Sequence, residues 1–146
     1  MSKMITFLLV EDDDDHAYLV ERALKNGRLL NMMTRAIDGE EALKILKKEE
    51  GYENSKRPDV VILDLNLPKV SGLEVLTAIR ADEKLRTLPV VILTTSDAEK
   101  DRIAAYNQFV NSYLQKPIDF EQFRRMIDDL SLYWGVWNQP PPEDGK

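Results

Sequence analysis

The chain has no cysteine and only one histidine, His16. Without thiols there can be no disulfide, no thiolate nucleophile and no cysteine-ligated zinc. A lone histidine rules out a multi-histidine metal centre. Long apolar runs are missing as well. None approaches the roughly 20 residues that span a bilayer, and the opening "MSKMITF" lacks the apolar stretch of a signal peptide. The expectation is a cytoplasmic protein with no membrane partner. Positive charge is the last scarcity. Twenty basic residues face 26 acidic ones, a net charge of −6. The basic residues are scattered, with short pairs at Lys47-Lys48, Lys56-Arg57 and Arg124-Arg125. Nucleic-acid binders gather such residues into a groove-sized patch, so no nucleic-acid partner is expected.

The 146 residues, 43% hydrophobic and 32% charged, suit one globular domain with a real core. Short apolar runs alternate with longer amphipathic ones. "ITFLLV" (5–10), "MMTRAI" (32–37), "DVVILDL" (59–65), "PVVILTT" (89–95) and "SYLQ" (112–115) read as strands. Two of them are apolar almost throughout, as burial on both faces requires. Helices are expected at 15–26 (with Asp14 or Asp15 as cap), at 38–50 behind Asp38, from Ser71 to about Asp82, and at 97–107. A last helix begins near Pro117, with Phe120, Phe123, Ile127, Leu130 and Trp134 as its apolar stripe. Residues 1–138 form the expected domain, and 139–146 a proline-rich tail that cannot continue the helix.

Five strands alternating with five helices predict an α/β fold, a doubly wound parallel sheet covered on both faces. Ligands bind such sheets beyond the strand C-terminal ends. Polar chemistry collects at that edge. "VEDDDDH" puts five consecutive acids behind the first strand, Asp64 ends the third, Thr94 and Thr95 end the fourth, and Lys116 follows the fifth. Two like charges about 4 Å apart repel by about 4 kcal/mol at an effective dielectric near 20. The acidic run therefore needs solvent, a helix N-terminus or a cation.

"LLVEDD", "VVILDLNLP..SG", "VVILTTS" and "YLQKP" occur in that order, with 30 residues from Asp64 to Thr94 and 22 from Thr94 to Lys116. Each is weak alone. Together they resemble the receiver domain of two-component response regulators, over roughly residues 4–134. The resemblance implies a flavodoxin-like sheet in the order 2-1-3-4-5. It makes Asp64 the phosphoacceptor and Mg²⁺ the cofactor. The ion would be held by Glu11, Asp12, Asp64 and the backbone carbonyl of Asn66, with Asp12 the direct ligand and Glu11 acting mainly through water. Lys116 and Thr94 would bind phosphoryl oxygens, with Thr95 beside them, and Tyr113 matches the switch aromatic. The Lys116-Pro117 bond matches a family peptide that is usually cis. Asp13, Asp14 and Asp15 are left to cap and charge-match the first helix, and His16 to that helix's surface.

The lengthened loop "KKEEGYENSKRP" and the tail resemble single-domain regulators paired with phytochrome histidine kinases. The implied function is a phosphorelay component that catalyses only its own phosphotransfer and dephosphorylation. It would signal through protein contacts, with a homodimer through the fourth helix, fifth strand and last helix as one output. Three other readings stand beside it. One is a receiver cut from a longer regulator, and another is a degenerate receiver that is never phosphorylated. The third, an aspartate-nucleophile phosphatase, would need an acid where Asn66 stands.

Overall fold

In the computed structural model, residues 4–141 are described. The order is β1 (Ile5–Val10), α1 (Asp14–Lys25), β2 (Asn31–Ala36), α2 (Gly39–Leu46), β3 (Val60–Leu63), α3 (Gly72–Ala81), β4 (Val90–Thr94), α4 (Glu99–Asn107), β5 (Ser112–Gln115) and α5 (Phe120–Leu132). A π-helical turn, Tyr133–Trp137, closes α5. All strand pairs are parallel, in the order β2-β1-β3-β4-β5. The expected doubly wound sheet is the one observed.

Side chains alternate across a strand with period 2, and here the alternation sorts the core into two layers. Leu8, Val10, Val61, Leu63, Val90 and Ile92 face α2, α3 and Ala105 of α4. Phe7, Leu9, Val60, Ile62, Val91 and Leu93 face α1, α5 and Trp134. Every residue of β3 and β4 is buried, so their near-continuous apolar sequence follows from having a helix layer on each side.

Three boundaries differ from expectation. Helix α1 starts at Asp14, not 15, and of the three acids expected to cap and charge-match it Asp13 is the cap; its Oδ1 accepts from the Asp15 and His16 amides at 2.9 and 3.1 Å. The next two acids occupy the first turn, where the helix dipole favours them. Helix α2 ends at Leu46, not 50, because Lys48 turns to φ 54°, and the charged residues beyond have no core to face. Phe120 opens α5 but is 44% exposed; the buried stripe begins at Phe123 and runs through Ile127 and Leu130 to Trp134. Of the tail residues 139–146, those from 142 on lie outside the described residues. Among the described residues no helix is long and apolar enough to cross a membrane.

The candidate phosphoryl-transfer site

Parallel strands all end at the same edge of the sheet. Register ties Val10 to Leu63, Leu63 to Ile92 and Thr94 to Gln115. The residues just beyond, Glu11, Asp64 and Lys116, are therefore neighbours although up to 105 positions apart. Backbone bonds continue past the strand ends. The Asp64 amide donates to the Val10 carbonyl at 3.1 Å, and the Lys116 amide to the Thr94 carbonyl at 2.7 Å. The sheet thus aims these side chains before any of them makes a contact.

Ligand oxygens of Glu11, Asp12 and Asp64 all lie within 4.8 Å of one another. Glu11 and Asp64 are buried and Asp12 is exposed. The two buried ones share a cation. The Lys116 ammonium, itself buried, bonds Glu11 Oε1 at 2.5 Å and lies 3.5 Å from Asp64 Oδ2. Burial, reinforced by the Asp64 charge, pushes the Glu11 carboxyl up to about 7 against the opposing pull of Lys116. Three carboxylates against one ammonium is a site short of positive charge. Hard oxygen donors of this kind bind a divalent cation.

The other expected residues fall around this centre. Thr94 is fully buried, its Oγ1 accepting from the Ser96 amide at 3.3 Å. Thr95 is exposed. Tyr113 is half-buried and donates its hydroxyl to the Ser96 carbonyl at 3.1 Å. Asn66 is exposed, and its amide reaches Asp64 Oδ1 at 3.4 Å. With Asn66 in place of a second acid, no general acid follows Asp64 on its loop, as a phosphatase of that type would require. Helix α3 starts hard against the loop. A Cβ built on Gly72 would lie 2.1 Å from the Asp64 carbonyl oxygen, so only glycine fits there.

Two expectations are corrected. No peptide bond among the described residues is cis, so Lys116-Pro117 is trans, the form X-Pro bonds favour by about 0.5–1 kcal/mol. His16 is not a bystander on the surface of α1. It sits at N3, one turn in from the acidic pair, and its Nδ1 lies 2.8 Å from Lys116 Nζ and 3.9 Å from Glu11 Oε1. The sequence signal was its place three residues after the cap Asp13, where a side chain points back over the helix start. Arg35 was missed as well. It reaches over from β2, donating from Nε to the Glu11 carbonyl at 3.0 Å and pairing through Nη1 with Asp14 at 2.9 Å.

Comparison with known proteins gives a consistent result. The response regulator receiver domain family matches residues 7–128. The probable methanogenesis regulatory protein FilR2 of Methanothrix harundinacea is 45% identical over 134 residues, covering 92% of this chain and 86% of its own length. Response regulator Rcp1 of Synechocystis is 40% identical over 127 residues, covering 87% and 86%. A Mn²⁺-bound structure of Rcp1 superposes with a TM-score of 0.89 over 94% of this chain and 99% of that one, at 38% identity. The phosphorylated cyanobacterial phytochrome response regulator RcpA superposes with a TM-score of 0.92 over 96% of this chain and all of its own, at 35% identity.

Proposed function

The chain belongs to the response regulator receiver family, a two-component signalling family whose members are phosphorylated by sensor histidine kinases, and on that footing we propose that Asp64 is its phosphoacceptor. The observation that carries this is the placement of one buried strand-end carboxylate within reach of both a buried ammonium and two further carboxylates. An Asp64 carboxylate oxygen attacks the phosphorus of a phosphohistidine. The new O–P bond makes an acyl phosphate as the P–N bond breaks, and the imidazole keeps the electron pair. Lys116 supplies a fixed positive donor to the phosphoryl oxygens, and the Thr94 hydroxyl a neutral one. Glu11, Asp12 and Asp64, with the Asn66 carbonyl, would hold Mg²⁺, which would supply the remaining charge neutralisation. Water then attacks the phosphorus, the aspartyl O–P bond breaks, and inorganic phosphate leaves Asp64 as the free carboxylate. Thr95 and Asn66 flank the phosphoryl position and set access to it. Tyr113 couples the Thr94 side to the surface of α4 and β5.

The likeness to RcpA supports a phytochrome-type histidine kinase as donor. Exposed Ile103 and Tyr106 on α4, with Ile118 and Phe120 before and at the start of α5, support output by protein contact, with a homodimer through α4, β5 and α5 as the specific form. The central test is intact-mass measurement after incubation with Mg²⁺ and acetyl phosphate. Wild type gains one phosphoryl group and Asp64→Asn gains none. A phosphorylated Asp64→Asn would move the acceptor elsewhere. A phosphotransfer profile against purified histidine kinases then identifies the donor.

A further inference from the structure

We propose that His16 is a positioning residue for Lys116, holding the third N–H of its ammonium through the imidazole Nδ1 lone pair. A lysine ammonium carries three donors and no acceptor capacity. Lys116 is buried, so each donor needs a hydrogen-bond partner. Three acceptors surround it, and their distances are unequal: Glu11 Oε1 at 2.5 Å, His16 Nδ1 at 2.8 Å and Asp64 Oδ2 at 3.5 Å. The ammonium sits on the α1 side of the site, nearer the histidine than the phosphoacceptor.

The contact fixes the imidazole's chemistry. Lys116 can only donate, so Nδ1 accepts only when it carries no proton. His16 is then the neutral tautomer with hydrogen on Nε2. Its position is set from the backbone, since the His16 amide donates to the cap residue Asp13 at 3.1 Å. A side chain held on the first turn of a helix is a rigid post for a long, flexible lysine. Glu11 alone would not serve as that post, because it is also a ligand for the cation. An ammonium held only by Glu11 would be released whenever the cation engaged that carboxylate. An imidazole accepting at Nδ1 leaves Glu11 to the cation.

The kinetic consequence rests on the assignment of Asp64 as phosphoacceptor. With the imidazole lone pair removed, the ammonium is free to shift toward Asp64 Oδ2, already 3.5 Å away. The ammonium closes on it and stabilises the nucleophile in its resting state. Phosphorylation should slow by the worth of one hydrogen bond, on the order of threefold to tenfold. Asn places its amide oxygen where Nδ1 stands and should restore the rate, whereas Gln carries its acceptor one carbon further out and should not.

The test has two arms. In the first, imidazole ¹⁵N shifts are recorded for the full chain, and again for Lys116→Met. His16 should show an unprotonated Nδ1 whose signal moves when the lysine is removed. In the second, acetyl phosphate phosphorylation rates with Mg²⁺ are compared for wild type, His16→Leu, His16→Gln and His16→Asn. The expected order is wild type and His16→Asn together, with His16→Leu and His16→Gln slower. A protonated Nδ1, an unmoved signal in Lys116→Met, or a His16→Asn rate as slow as His16→Leu overturns the inference. So does a His16→Leu rate equal to wild type. If wild type takes up no phosphoryl group, the acceptor assignment fails instead, and the imidazole spectra alone decide the role of His16.

Discussion

Glu11 is a carboxylate placed where water scarcely reaches it, and its cost depends on pH. Its ordinary value of 4.5 rises to about 7, with burial as the largest cause, the Asp64 charge adding to it and Lys116 opposing. A raised folded-state value favours the protonated form in the cation-free protein. The associated stability is fully present below about pH 4.5 and is lost as pH rises through about 7. A tenfold change in proton affinity between the folded and unfolded chain is worth about 1.4 kcal/mol, so the contribution is on the order of 3 kcal/mol. Thermal denaturation in a chelator should show stability falling between pH 5 and 7.5, and Glu11→Gln should flatten that fall. Parallel curves for the two proteins would show that Glu11 is not the group responsible. The sequence made the acidic pair, Asp64 and Lys116 legible because each follows an apolar strand. It did not reveal His16 or Arg35. Its place three residues after Asp13 leans the His16 side chain back over the helix start, but only the fold brings a lysine 100 positions later within its reach, and nothing in the order of residues says that the second-last residue of edge strand β2 grips the Glu11 carbonyl.

At the scale of elements, pattern located the strands well because β3 and β4 are buried at every position and apolar at all but the last, Thr94. Helix ends were less legible. A run of Lys and Glu favours helix locally, yet α2 stops where its charged residues leave the core. Phe120 kept helical spacing with Phe123 but lies on the exposed first turn of α5. Trp134, the last residue of the expected apolar stripe, is buried as that stripe requires, while Val136 and Trp137 are exposed. The α3 start carries a sharper constraint. Gly72→Ala would press a methyl into the Asp64 carbonyl and the Leu65 Cα, and such overpacking costs about 1–3 kcal/mol. Chemical denaturation should show a loss of that size, together with slower phosphorylation than an equally destabilising change distant from the loop. A loss of stability with an unchanged rate would show that α3 does not position Asp64. Ile103 and Tyr106 on α4 and Ile118 just before α5 are exposed apolar residues. Light scattering over a concentration series should show dimer growing with protein concentration and with beryllofluoride, and falling in Ile103→Glu. A monomer under every condition would leave a different protein as the output.

Over the whole molecule, an excess of acid is concentrated at one edge of the sheet. Glu11, Asp12 and Asp64 bring three carboxylates together on a chain whose net charge is already −6. A divalent cation held there favours the folded state, because only folding brings Asp64 beside the adjacent Glu11 and Asp12. Its stabilisation grows as RT ln(1 + [L]/Kd), about 2.7 kcal/mol when the ion is at 100 times its dissociation constant. For a domain of this size, about 2–4 °C accompanies each kcal/mol, so saturating Mg²⁺ should raise Tm by roughly 5–10 °C over a chelated sample. General screening by salt would also relieve like-charge repulsion, so the comparison needs NaCl at equal ionic strength, which should give a much smaller rise. Asp12→Asn supplies the other control. Removing one of three clustered charges relaxes their repulsion and should lift Tm slightly without any cation. The Mg²⁺-dependent increment, rather than Tm itself, is the quantity that must vanish. An increment of equal size in Asp12→Asn and wild type, or one matched by NaCl, would reduce the acidic run to a solvated turn.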